Sequence, residues 1–146
     1  MSGWYFHHLL TAAIALVAAF AWWKGAWPER FGASLNLLVA CLFLVLQATM
    51  SQERLAPGLL TIDGVLGVGL LVLAIRYTSL WLGAAMLLQA AQFSLHAFYY
   101  VTAKSFDQLF AVVNNVVSWG ILLAIVSGTC ATWIQTRRAA AKATAP

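Results

Sequence analysis

This chain is poor in charge. Its 146 residues include eight Lys or Arg and four Asp or Glu, 8% in all, where a soluble domain carries about 25%. The eight cations stand dispersed between apolar stretches. Despite a net charge of +4, no basic stripe is available to follow a phosphate backbone, which excludes a nucleic-acid partner. Cysteine is scarcer still, with two residues. Cys41 and Cys130 lie in apolar runs without a CxxC or His-rich spacing, which argues against zinc. Their depths along the chain differ, and a disulfide needs Cα atoms within about 7 Å. Two free, buried thiols acting as small hydrophobes are expected. The first eight residues contain no Lys or Arg, whereas a cleavable signal peptide opens on a positive segment. The first apolar run is therefore expected to stay as a helix. No phosphate loop, metal spacing or nucleophile–base pair is visible.

What the chain does have is apolar sequence, 63% of all residues. A single domain of this size cannot hide that much apolar surface from water. A bilayer can accept it. Spanning the hydrocarbon takes about 17–25 helical residues, and five segments qualify: 4–23, 31–50, 58–75, 80–101 and 108–134. Residues 135–146 read as a polar cytoplasmic tail that frays. Pro28 and Glu29 suit a helix start, and Ser105 to Gln108 have the spacing of a capping box. Trp22, Trp23, Trp27, Trp81 and Trp133 fall where an aromatic belt would sit. The expected fold is thus an all-α, polytopic transmembrane bundle of five helices. With the N-terminus outside and the C-terminus inside, the inner face holds Lys24, Arg30, Arg76, Arg137, Arg138 and Lys142. The outer face holds only Arg54 and Lys104, as the positive-inside bias requires.

Polar groups at membrane depth are costly and informative. Gln89, Gln92, His96 and Tyr99 or Tyr100 recur at three- and four-residue steps, so they share one face of the fourth helix. Asp63 on the third helix is level with Gln92 and about 5 Å from the level of His96 at 1.5 Å per residue. Gly64, Gly67 and Gly69 follow it and let a neighbouring helix come close. His7, His8, Gln47, Asn114 and Asn115 add polar groups from the other helices.

These residues admit two readings. Intramembrane Gln, Asn and His often only hydrogen-bond helices together, each pair giving about 0.6–2 kcal/mol, and Asp63 paired with His96 would orient a hairpin. Alternatively Asp63, Gln89, Gln92, His96, Tyr99, Tyr100, Asn114 and Asn115 form a ligand or proton site. The leading functional expectation is a non-enzymatic accessory subunit, assembly factor or scaffold of a larger membrane complex. Its partners would be the lipid bilayer and another membrane protein or a second copy. It would dock through the third-helix glycines or Ala12, Ala15, Ala18 and Ala19. The alternative is a small-ligand module or proton-linked transporter. No cofactor is expected; haem would need His96 facing His7 or His8, and quinone is a similar alternative. The inner half is dry between Leu80 and Met86 and between Ile121 and Val126, so a site open to one side fits better than a pore.

The chain also resembles uncharacterised small multi-helix integral membrane proteins of proteobacteria. The likeness rests on Trp27-Pro28-Glu29-Arg30 before a helix, Asp63 in a glycine-bearing helix, the Arg76 turn leading to Trp81, and His96 one helix later. It implies a bacterial inner membrane and attaches no function.

Overall fold

A computed structural model describes the backbone of residues 2–143 and the side chains of residues 8–51 and 54–143. Five helices follow one another: α1 (Ser2–Lys24), α2 (Trp27–Thr49), α3 (Gln52–Tyr77), α4 (Leu80–Val101) and α5 (Gln108–Ala143). Each packs against its neighbours in sequence, and α5 returns to α1, so the helices close a ring; α2 also meets α5 across it. Alternation of direction puts the α1–α2 and α3–α4 turns and the end of α5 together, here named the Gly25 end. The α2–α3 and α4–α5 links form the Lys104 end.

Several helix boundaries differ from the sequence reading. Trp27 to Arg30 are the first turn of α2 and not a link. Pro28 sits where its missing N–H costs nothing, and Glu29 Oε2 accepts from the Ala26 N–H at 2.9 Å. The connection shrinks to Gly25-Ala26, whose Gly25 carbonyl accepts from Arg30 Nε at 2.9 Å. Helix α3 begins at Gln52 and carries Pro57 inside it, near enough to its start that only one early backbone bond is forgone. Helix α5 runs through the expected tail to Ala143. Its last turns are rich in Ala, Arg and Lys, strong helix formers, and the cations complement the helix C-terminus. The α5 cap is Asp107 and not Ser105: Asp107 Oδ1 accepts the Phe110 N–H at 2.9 Å.

The core of the Gly25 half is tight. Ala21, Leu70, Leu82, Ala85 and Ile125 are fully buried. Small residues on α1 and α2 let the larger side chains of α3, α4 and α5 pack inside. The outside is apolar on all five helices, with Leu16, Leu38, Val68, Leu87 and Val116 all more than half exposed. Three helices, α2, α3 (from Arg54) and α5, are long and apolar enough to cross a membrane. Within α1 the described stretch His8–Lys24 is apolar but shorter, and α4 carries a polar stripe. Both cysteines are free, but Cys41 is exposed on the apolar outer face rather than buried.

Tryptophan divides in a way that spacing alone does not show. Trp22, Trp23 and Trp27 are exposed at the Gly25 end, whereas Trp81 is buried. Its indole lies against Gly32 and Gly128, where a Cβ would come within 3.3 Å and 2.5 Å of it. Its Nε1 donates to Glu29 Oε1 at 3.2 Å. Glycine at both positions makes the slot that the ring fills.

Candidate functional site

The α3–α4 hairpin builds the site. Beyond the turn at Thr78, a left-handed residue, the two helices run back close together. A Cβ on Gly67 would touch Gln89 Cγ at 3.6 Å, and one on Gly64 would touch Phe93 Cε2 at the same distance. That closeness lets short side chains bridge the helices. Gln89 Nε2 donates to the Asp63 carbonyl at 3.2 Å and to Asp63 Oδ1 at 3.3 Å. His96 Nδ1 pairs with Asp63 Oδ2. With Nδ1–H donating to the carboxylate, Nε2 carries a lone pair in the neutral ring. Asp63, Gln89 and His96 are all at least nine-tenths buried. Gln92 extends the network to α5, its Nε2 donating to Asn114 Oδ1 at 3.1 Å.

A cavity of about 90 Å³ lies beside this network. All five helices line it: Thr11 and Ile14, Asn36 and Phe43, Asp63, then Gln89, Gln92 and His96, then Asn114 and Ser118. Three buried atoms of its wall have no protein partner: Gln89 Oε1, Gln92 Oε1 and His96 Nε2. An unsatisfied buried polar group costs about 1–3 kcal/mol, and three around one cavity is a concentration that native interiors avoid. Their chemistry is coherent. Two are amide oxygens that only accept. The third is a ring nitrogen that accepts whenever Nδ1 carries the proton. The wall therefore suits a small molecule rich in N–H or O–H donors.

Toward the Gly25 end the cavity is closed by Leu66 and Ile121 of its own wall, backed by the buried core. Toward the Lys104 end an aromatic group stands over His96. Phe110 stacks on the imidazole at 4.9 Å and on Phe106 at 4.2 Å, and meets Tyr99 edge-on at 5.0 Å. Tyr99 donates to Asp107 Oδ1 at 2.5 Å, and Lys104 Nζ lies 2.7 Å from Asp107 Oδ2. The Lys104 ammonium, the Tyr99 hydroxyl and the Phe110 N–H together hold the Asp107 carboxyl well below the usual carboxylate range. The hydrogen bond to Asp107 in turn raises Lys104.

Of the residues expected at a site, the structure brings Asp63, Gln89, Gln92, His96 and Asn114 together. It leaves out the others. Tyr99 is buried but belongs to the Asp107 latch, and Tyr100 faces outward. Asn115, one residue round α5 from Asn114, does not line the cavity, and neither does Gln47, which is exposed near the end of α2. His8 is exposed and away from the cavity; His7 lies outside the residues whose side chains are described. No second described histidine therefore faces His96, and among the described residues no three His, Cys, Asp or Glu side chains gather as a metal set. Thr11, Asn36 and Ser118 join the wall unforeseen. Asn36 could have been found, because counted from the Gly25 end it is level with Gln89.

A second polar knot was missed altogether. Glu29 is buried and accepts from Trp81 Nε1 and Thr132 Oγ1 through one oxygen, both at 3.2 Å, and from Ala26 N–H through the other. Both its oxygens are engaged, so it pins α2, α4 and α5 together and offers nothing to a ligand. The third-helix glycines are likewise spent inside the molecule: Gly64 and Gly67 face α4, and Gly69 faces Leu35 of α2. Ala18 is buried, while Ala12, Ala15 and Ala19 remain exposed.

Set against known proteins, the chain matches no family model, no curated protein and no solved structure. Fold and site together define an all-helical bundle with three helices able to cross a membrane and a polar cavity walled by five helices.

Proposed function

We propose that this chain is a five-helix integral membrane protein of a bacterial inner membrane and that it is a non-enzymatic binding module. It holds a small, donor-rich polar molecule in the cavity beside Asp63 and His96. The carrying observation is the trio of unpartnered acceptors, Gln89 Oε1, Gln92 Oε1 and His96 Nε2, on one cavity wall. Asp63 fixes the imidazole and the Gln89 amide, so the recognition groups are oriented before a ligand arrives, which spares the entropy of arranging them. The orientation with the Gly25 end inside is supported by six Lys or Arg there against two at the other end. With that orientation the polar wall lies toward the outer half, and the packed Leu70, Leu82 and Ile125 on its inner side favour a one-sided site over a conducting path.

A second reading, an accessory subunit of a larger membrane complex, is favoured by the free face of α1. Ala12, Ala15, Leu16 and Ala19 are exposed there at helical spacing, and small residues let a partner helix approach.

Native mass spectrometry of the protein gently extracted from its own membranes separates the two. The binding reading expects a reproducible small-molecule adduct that Gln89→Leu and His96→Leu each abolish. A bare chain in wild type and variants alike contradicts it, and a stoichiometric partner protein moves the weight to the second reading.

A further inference from the structure

Away from the cavity, the Gly25 end carries an arrangement of cations that the binding reading does not use. Trp133 of α5 lies in the seam with α1, its ring edge-on to Phe20 at 6.5 Å. Two cations from different helices approach that one indole: Lys24 Nζ of α1 at 5.2 Å from the ring centroid and the Arg137 guanidinium of α5 at 4.7 Å. Lys24 also sits 4.0 Å from the Trp23 ring. Neither has a carboxylate partner among the described residues, whose ion pairs are His96–Asp63 and Lys104–Asp107. Glu29, the acidic residue of this end, is buried and saturated by Trp81, Thr132 and Ala26.

Two like charges drawn to one ring repel each other. Cation–π attraction offsets this by about 0.5–1 kcal/mol each at exposed sites. An anion held by both would relieve that repulsion. Arg offers a planar fork of donors that matches phosphate oxygens in pairs, and Lys adds a mobile point charge. The two helices bearing them expose Leu16 and Leu123 further along, an apolar surface along which acyl chains can lie. Trp133 supplies the amphipathic body that belongs at headgroup level.

We propose that Lys24 and Arg137, held on either helix at Trp133, form a binding site for an anionic phosphate group in the α1–α5 seam, and that its occupant is the headgroup of an anionic phospholipid. Only the lipid as source rests on the membrane reading; the cavity beside His96 plays no part in it.

The test is native mass spectrometry of the full chain titrated with phosphatidylglycerol, with phosphatidylcholine, or with inorganic phosphate alone. Wild type is expected to retain phosphatidylglycerol at least about tenfold better than phosphatidylcholine, equivalent to about 1.4 kcal/mol. Lys24→Gln with Arg137→Gln is expected to remove that preference. Lys24→Arg with Arg137→Lys is expected to keep it, and Arg76→Gln, a cation of the same end over Tyr77, leaves it unchanged. Helix content by circular dichroism shows that each variant is folded. An inorganic phosphate adduct lost in the double Gln variant, with no lipid preference, keeps the phosphate site and overturns the lipid as its occupant. Equal lipid retention by wild type and the double Gln variant, or equal loss in Arg76→Gln, overturns the site.

Discussion

His96 of α4 turns its Nδ1 onto the carboxylate of Asp63 in α3 and leaves its Nε2, buried, without a protein partner. One nitrogen is thus fixed by the fold and the other is available. The same division holds for Gln89, whose nitrogen is bound to Asp63 while its oxygen is not.

Removing one member of the pair strands the other. Asp63→Ala leaves the His96 ring without its acceptor and the Gln89 amide with only the backbone carbonyl of residue 63, and breaking a buried pair on one side typically costs about 3–5 kcal/mol. Asp63→Asn keeps an acceptor and is expected to cost less. Asp63→Ala with His96→Ala should cost clearly less than the sum of the singles, since the coupled residues fail together. Thermal unfolding of wild type and the four variants in one detergent checks this; strict additivity would mean that the two side chains do not support each other.

Trp81 is the anchor at the opposite end. Glu29→Ala strands its buried indole N–H, at about 1–3 kcal/mol, and in that background Trp81→Phe should cost less than it does in wild type. Unfolding midpoints of the two singles and the double give the coupling directly.

The glycines should separate cleanly. A Cβ at Gly128 would lie 2.5 Å from the Trp81 ring, whereas at Gly83 it would meet nothing within 4 Å. Because Glu29 holds the indole in place, Gly128→Ala is expected to cost about 1–3 kcal/mol through overpacking. Gly83→Ala is expected to be neutral or to stabilise by up to about 1 kcal/mol through helix propensity. Comparable unfolding midpoints for the two variants would contradict the Trp81 slot.

The Asp107 latch has a defined pH window. Its carboxyl is depressed by Lys104, Tyr99 and the Phe110 N–H, so its contribution is present above the unfolded carboxylate value of about 3.9 and is lost only as pH falls through the lower folded value. Lys104 is raised by Asp107, so its share is present below about 10.4 and is lost as pH rises through its folded value. The difference in unfolding midpoint between wild type and Asp107→Ala should therefore be flat from pH 5 to 8 and shrink only outside that window, in stronger acid or in base above about pH 10.4. A slope across neutral pH would contradict the assignment.

Much of this was legible in the residues, for identifiable reasons. Helices of apolar sequence are set by length and composition. The stripe Gln89, Gln92, His96 is fixed by helical period, and the short turn after Tyr77 sets its level against Asp63. What was not legible depends on rotation about helix axes and on the ring order of the bundle. Asn114 faces the cavity and Asn115 does not, a difference of one residue that no level count resolves. Trp81 reads like Trp27 by position, yet it is buried because Gly32 and Gly128 open a slot for it. Glu29 reads as an exposed helix-start acid until α4 and α5 bring Trp81 and Thr132 to it. Polarity alone places the end of the fifth segment at 134, but Ala, Arg and Lys continue α5 as a helix to Ala143, well past the apolar surface.

The central claim is a polar cavity reached from one side of the membrane. With Cys41 and Cys130 replaced by Ala, a cysteine at Asn114 can be probed with a membrane-impermeant, positively charged methanethiosulfonate added to intact spheroplasts or to inside-out vesicles. Lys104→Cys and Thr136→Cys, both on exposed residues, report the two faces. The account predicts that the cysteine at 114 reacts from the same side as that at 104 and not from the side of 136. Reaction from the side of 136, or from neither side while both reporters react, would contradict it.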